Sequence, residues 1–182
     1  WAWLAFGPGA RVGAPERSGP VGVGPRADEA PAFDRWQTAK GLVVAPGFID
    51  LHSHAQYAFG YDQQAQDGVT TSLELEEGVY PIASFYDVRR GKSRINFGAS
   101  VGLQSIRVKI KTGIDEEGSL DAPFNSWGKI LPRKAEWAEQ TLSPAERDRE
   151  RAMVADGFAA GGLGIGLLSE YLPGAGRDEI YL

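Results

Sequence analysis

An apolar run from Val43 to Ile49 gives way to Asp50-Leu51-His52-Ser53-His54, and those twelve residues constrain the chain most. Side chains alternate across a β-strand, so His52 and His54 project to the same side. Two imidazoles on one side of a strand end can offer two nitrogens to a single metal ion. The sequence contains 2 histidines, and both are here. The plainer alternative is a polar strand end that happens to carry two histidines.

The longer run Gly41-Leu-Val-Val-Ala-Pro-Gly-Phe-Ile-Asp-Leu-His-Ser-His54 resembles the first barrel strand of the metal-dependent amidohydrolase superfamily. In that superfamily the PGFID-x-H-x-H motif carries two metal ligands. Three further stretches are similar to the D-aminoacylase and N-acyl-D-amino-acid deacylase branch. They are Gln66-Asp67-Gly68-Val69-Thr70-Thr71, Ile95-Asn96-Phe97-Gly98-Ala99-Ser100-Val101-Gly102, and Gly162-Leu163-Gly164-Ile165-Gly166 followed by Tyr171-Leu172-Pro173-Gly174. The resemblance runs from about residue 38 to 182 and is weak between about 108 and 140. It implies an α/β fold: a partial TIM-like (β/α) barrel comprising the first four βα units.

At 182 residues the chain can bury a core, yet an eight-fold βα barrel takes about 250. It opens on Trp1 and stops at Leu182 as a helix begins, so the expectation is the N-terminal half of a longer enzyme, inactive alone. The net charge of −5 gives no basic field for nucleic acid. No apolar stretch approaches the ~20 residues of a membrane span, and no signal peptide is apparent. The absence of cysteine removes disulfides and thiolate ligands and suits a cytoplasmic protein. The oligomeric state is left open.

Residues 1–40 are rich in Gly, Pro, Ala and Arg and show no sustained period, where the resemblance implies a small β-sandwich. They are expected to be a remnant of that domain or disordered, and 41–182 the half-barrel. Strand one is expected from Leu42 to Leu51, nearly continuous in apolar character as a parallel strand covered on both faces should be. A helix follows over Tyr57–Asp67 with Gly68 as its stop. Strand two runs from Val69 to about Glu76. A second helix over Ile82–Arg90 follows Pro81, and strand three spans Arg94–Val101. Residues 108–140 read as an irregular insertion, a lid or specificity loop on which Phe124, Trp127 and Trp137 line the site or anchor the loop. Ser143-Pro144-Ala145-Glu146 has the form of a capping box. Its helix continues to about Ala160 with Met153, Val154 and Phe158 as the apolar side. Strand four is expected over Leu163–Ser169.

In strand two, Leu73 and Leu75 facing the outer helices would turn Ser72, Glu74 and Glu76 inward. Buried carboxylates need partners, and a metal ion is a natural one. The deacylase resemblance implies a cysteine ligand near this strand end, and a gap-free match puts Glu77 there, whereas parity favours Glu76. The expected metal ligands are therefore His52, His54 and Glu76, with Glu77 the alternative and an acidic, solvated strand end the plainer one. One or two zinc-like ions are expected. The resemblance implies that Tyr171, just before the Pro173-Gly174 turn, polarises the substrate carbonyl; a hydrophobic plug is its alternative role. It also implies a histidine near position 103, where this chain has Leu103, while Arg107 matches. Further ligands and a catalytic aspartate would come from strands beyond residue 182.

Together these features imply a metal-dependent hydrolase of C–N amide bonds, deacylating N-acyl-D-amino acids. Its partner is a small-molecule N-acyl amino acid or amide, not nucleic acid or membrane. The alternatives are a cyclic-amide hydrolase of the dihydroorotase or hydantoinase kind, and a metal-free scaffold remnant. A strand-four lysine would favour the cyclic-amide enzymes, and Leu163–Tyr171 contains none.

Overall fold

Pro46 and Gly47 divide the apolar run between two sheets. In the computed structural model, which describes residues 3–7, 10–14, 35–39, 42–115, 127–168 and 172, β1 (Trp3–Gly7) and β2 (Ala10–Ala14) come first. They are followed by β3 (Arg35–Ala39) and β4 (Leu42–Pro46). β1 pairs antiparallel with β4, Trp3 opposite Pro46, and β2 pairs antiparallel with β3, Ala10 opposite Ala39. β5 (Phe48–Asp50) then enters a different sheet, parallel to β6 (Val69–Val79). The strand expected over Leu42–Leu51 is thus two strands. Residues 1–40 contain three strands where no alternation was legible. Their five-residue segments are too short to display a period of their own, and partners distant in sequence define them.

The second sheet carries the site. Its order is β5-β6-β7-β8, all pairs parallel, with β7 spanning Asn96–Gly102 and β8 Ile165–Gly166. Helices α1 (Ala58–Gln66), α2 (Ile82–Arg89), α3 (Leu103–Thr112), α4 (Trp127–Ile130) and α5 (Pro144–Ala159) alternate with its strands. The fold is α/β, with four parallel strands alternating with helices in the manner of a partial βα barrel. Strand four is shorter than expected, although Leu163 N donates to Ala99 O and Val101 N to Gly164 O alongside it. Ser169 lies outside the described residues.

A core of Val79, Ile82, Phe85, Ala99, Val101, Leu103, Ile106 and Val154 joins the sheet to α2, α3 and α5. On α5 the buried residues include Val154 and Gly157, while Phe158 is exposed, contrary to its expected place on the apolar side. The missing Cβ at Gly157 explains this: such an atom would stand 2.7 Å from Val101 Cγ2, so the helix seats its glycine against β7 and rotates Phe158 away.

The expected irregular insertion is partly helical. α3 continues to Thr112, and after residues 116–126, which lie outside the described set with Phe124, α4 leads into short 3-10 and π turns over Leu131–Arg133 and Ala135–Glu139. Trp137 is buried; its indole Nε1 donates to Ile130 O, and Arg107 Nε donates to Trp137 O at 3.1 Å. Trp137 therefore anchors this segment to α3.

Candidate metal centre

The HxH segment is held by its middle residue. Ser53 turns inward while His52 and His54 face out on the other side. Ser53 N donates to Leu73 O, and Ser53 Oγ accepts from Gln64 Nε2 at 2.7 Å. Beneath it, Gln56 Nε2 donates to Ser53 O and to Ser72 Oγ. Tyr61 Oη donates to Gln56 Oε1, and Arg89 donates to Tyr61 Oη and Gln56 O. This buried network fixes the backbone on which both histidines ride, so few of their degrees of freedom remain to be ordered by a ligand.

Three donor atoms converge above the strand ends. His52 Nε2 lies 2.7 Å from Glu76 Oε2, His54 Nε2 lies 3.2 Å from the same oxygen, and the two Nε2 atoms are 3.3 Å apart. All three residues are exposed. Tetrahedral ligands at zinc-like bond lengths stand about 3.3–3.6 Å apart. Two edges of this triangle are near that spacing, and the third is a direct His52–Glu76 contact that an ion would open by about half an ångström. A two-imidazole, one-carboxylate set suits zinc and other borderline divalent ions. The donors present therefore fit such an ion, and a second divalent site is not needed to account for them.

Glu74 and Glu77 stand behind this triangle. Glu74 is buried, 3% exposed, and its Oε2 accepts from His54 Nδ1 at 2.6 Å while Oε1 accepts from Glu77 N at 3.2 Å. Desolvation raises the Glu74 pKa above the usual carboxylate value, against the pull of His54 and the Glu77 and Gly78 backbone amides. Burial works to lower His54, but Glu74 first, then Glu77 and Glu76, outweigh it and hold its pKa above the ordinary histidine value. Glu77 is turned differently: its Oε1 accepts from Gln104 Nε2 at 2.8 Å, and Oε2 stays 3.8 Å from His54 Nδ1.

The structure therefore brings His52, His54 and Glu76 together and directs Glu77 largely toward α3. Tyr171 lies outside the described residues. Strand parity turns Glu74 inward, but nothing in the sequence pairs it with His54 Nδ1; that contact depends on how the HxH segment crosses β6, where His52 and Glu74 form an isolated bridge. Leu103, where the deacylase resemblance implied a histidine, is buried in the core. Arg107 is likewise buried and bonded to the Trp137 and Gln140 carbonyls.

No family model matches the chain, and no solved structure matches it. It is similar to curated allantoinases of Escherichia coli. Those of strain K12 / DH10B, of O139:H28 strain E24377A and of strain SMS-3-5 are each 30% identical over 96 residues, covering 44% of this chain and 21% of the relative. The chain spans about a fifth of the length of the curated relatives it matches. This similarity supports the amidohydrolase superfamily and does not extend to the D-aminoacylase branch. No helix among the described residues is long and apolar enough to cross a membrane.

Proposed function

We propose that this chain contributes to a metal-dependent hydrolase of C–N amide bonds, with His52, His54 and Glu76 as its metal ligands. The observation that carries the reading is the triangle of His52 Nε2, His54 Nε2 and Glu76 Oε2 above the ends of a parallel sheet. In βα barrels that end is where active sites are built. A bound divalent ion would supply Lewis-acid polarisation of the amide carbonyl and acidify water near neutral pH. The chain's residues hold the donors in place: Ser53 and Gln56 fix the strand end, and Glu76 brings an anionic oxygen to both imidazoles.

For the substrate we propose an N-acyl-D-amino acid, on the motifs shared with deacylases, with Tyr171 polarising the carbonyl. The allantoinase likeness supports a second reading, a cyclic amide. The absence of lysine from Leu163–Tyr171 favours the first. Zinc or cobalt(II) titration of the chain and of the His52→Ala/His54→Ala variant tests the metal assignment. About one ion per chain is expected, with occupancy lost in the double variant. Equal metal content in both would overturn it. Hydrolysis of N-acetyl-D-amino acids against allantoin, measured on the complete enzyme, separates the substrate classes.

A further inference from the structure

The two histidines share a triangle, but the groups behind them differ. His54 Nδ1 lies 2.6 Å from Glu74 Oε2, and Glu74 is itself almost wholly buried. His52 Nε2 lies 2.7 Å from Glu76 Oε2, and among the described residues no hydrogen bond is found to its Nδ1. A neutral imidazole carries one proton, and the nitrogen that lacks it holds the lone pair able to bind a metal. At His54 the carboxylate takes the Nδ1 proton as a hydrogen bond, so the lone pair is on Nε2, facing the other donors.

We propose that Glu74 is a positioning residue that holds His54 in its Nδ1–H tautomer and so presents the Nε2 lone pair to the other donors. Metal-bound histidines commonly donate their second N–H to a carboxylate, which fixes the ring and raises its basicity. Here the supporting carboxylate is fixed in turn by Glu77 N at 3.2 Å, within the strand that also carries Glu76. The inference rests on the metal reading above and adds the group that presets His54 for the ion.

Because the chain has 2 histidines, its ring nitrogens give two spin systems, which His52→Ala assigns directly. Long-range ¹H–¹⁵N spectra of the metal-free chain, taken above the histidine titration range, should show His54 protonated on Nδ1. An Nε2–H form at His54 overturns the proposal without any variant at Glu74. Glu74→Gln, whose amide can donate to Nδ1 instead, should move His54 toward the Nε2–H form and weaken cobalt(II) binding about 10- to 100-fold. Glu74→Asp should recover part of both. Cobalt bound equally by the parent and by a folded Glu74→Gln, as judged by circular dichroism, overturns this proposal and leaves the metal reading standing. Failure of the parent to bind cobalt or zinc overturns both.

Discussion

Glu76 and Glu77 are adjacent, yet only Glu76 places an oxygen within 3.2 Å of both imidazoles, while Glu77 is bonded to Gln104. Glu76→Gln should therefore weaken zinc binding by on the order of a hundredfold, and Glu77→Gln should change it by less than about threefold. Competition titration against a chromogenic chelator measures both, and the reverse ranking would assign the ligand to Glu77. Strict alternation made Ser72, Glu74 and Glu76 legible as one face, and Ser72 and Glu74 are buried. It also favoured Glu76 where the gap-free match favoured Glu77, although the register shifts after Glu74. A second consequence concerns Tyr61, whose hydroxyl pKa is pushed up to about 12 by burial, against the pull of Arg89. A folded pKa above the unfolded value near 10 means the contribution is whole below pH 10 and lost as pH rises through 12. On the order of 2–3 kcal/mol should disappear across that window, read as a fall in the urea midpoint. Tyr61→Phe should flatten that fall while costing stability at neutral pH.

The end of β6 is a bulge rather than a regular strand. Glu74 pairs with Ala99 and Val79 with Val101, so six residues of β6 run beside three of β7. Gly78 makes this possible: its φ is +70°, and a Cβ there would stand 2.7 Å from Gly102 N and 2.8 Å from Ser100 O. Gly78→Ala should cost about 2 kcal/mol or more and also weaken metal binding, since the bulge carries Glu76. An unchanged urea midpoint would show that the strand end tolerates a side chain. The Ser143 cap offers a contrast remote from the site. Ser143 Oγ accepts from Glu146 N, and Glu146 Oε2 accepts from Ser143 N, so Ser143→Ala should cost about 1 kcal/mol with metal affinity unchanged. That cap was legible in four residues because it is local. α3 was not, because Leu103-Gln104-Ser105-Ile106-Arg107-Val108 is buried on every side. Gln104 donates to Glu77 and Arg107 to the Trp137 and Gln140 carbonyls, contacts distant in sequence that hold its polar residues inside.

Across the whole molecule, the order of strands and helices in the parallel sheet followed from motifs and turn residues, whereas the antiparallel pairs before it depend on partners as far apart as Trp3 and Pro46. The parallel sheet ends at β5 on one side and β8 on the other. Among the described residues both edges are apolar and carry no further strand: Phe48, Ile49 and Leu51 are exposed at one, and Leu163, Ile165 and Leu167 at the other. Phe48 on β5 is 58% exposed and Leu163, just before β8, 57%, and among the described residues no further strand pairs with either edge. Unpaired edges with apolar side chains template further strands, and the hydrophobic term adds to the backbone pairing. We therefore predict that these 182 residues associate at tens of micromolar and unfold with poor cooperativity. A lysine at each edge adds charge where pairing would start, so Ile49→Lys with Ile165→Lys should weaken association at least about tenfold. Neither residue belongs to the metal triangle, so cobalt affinity per chain should stay within about twofold of the parent. Sedimentation velocity across a concentration series reads the association. A parent that sediments as a single monomer over that range and melts in one sharp transition would show that the two edges are self-sufficient, and that apolar exposure along β5 and β8 does not drive pairing.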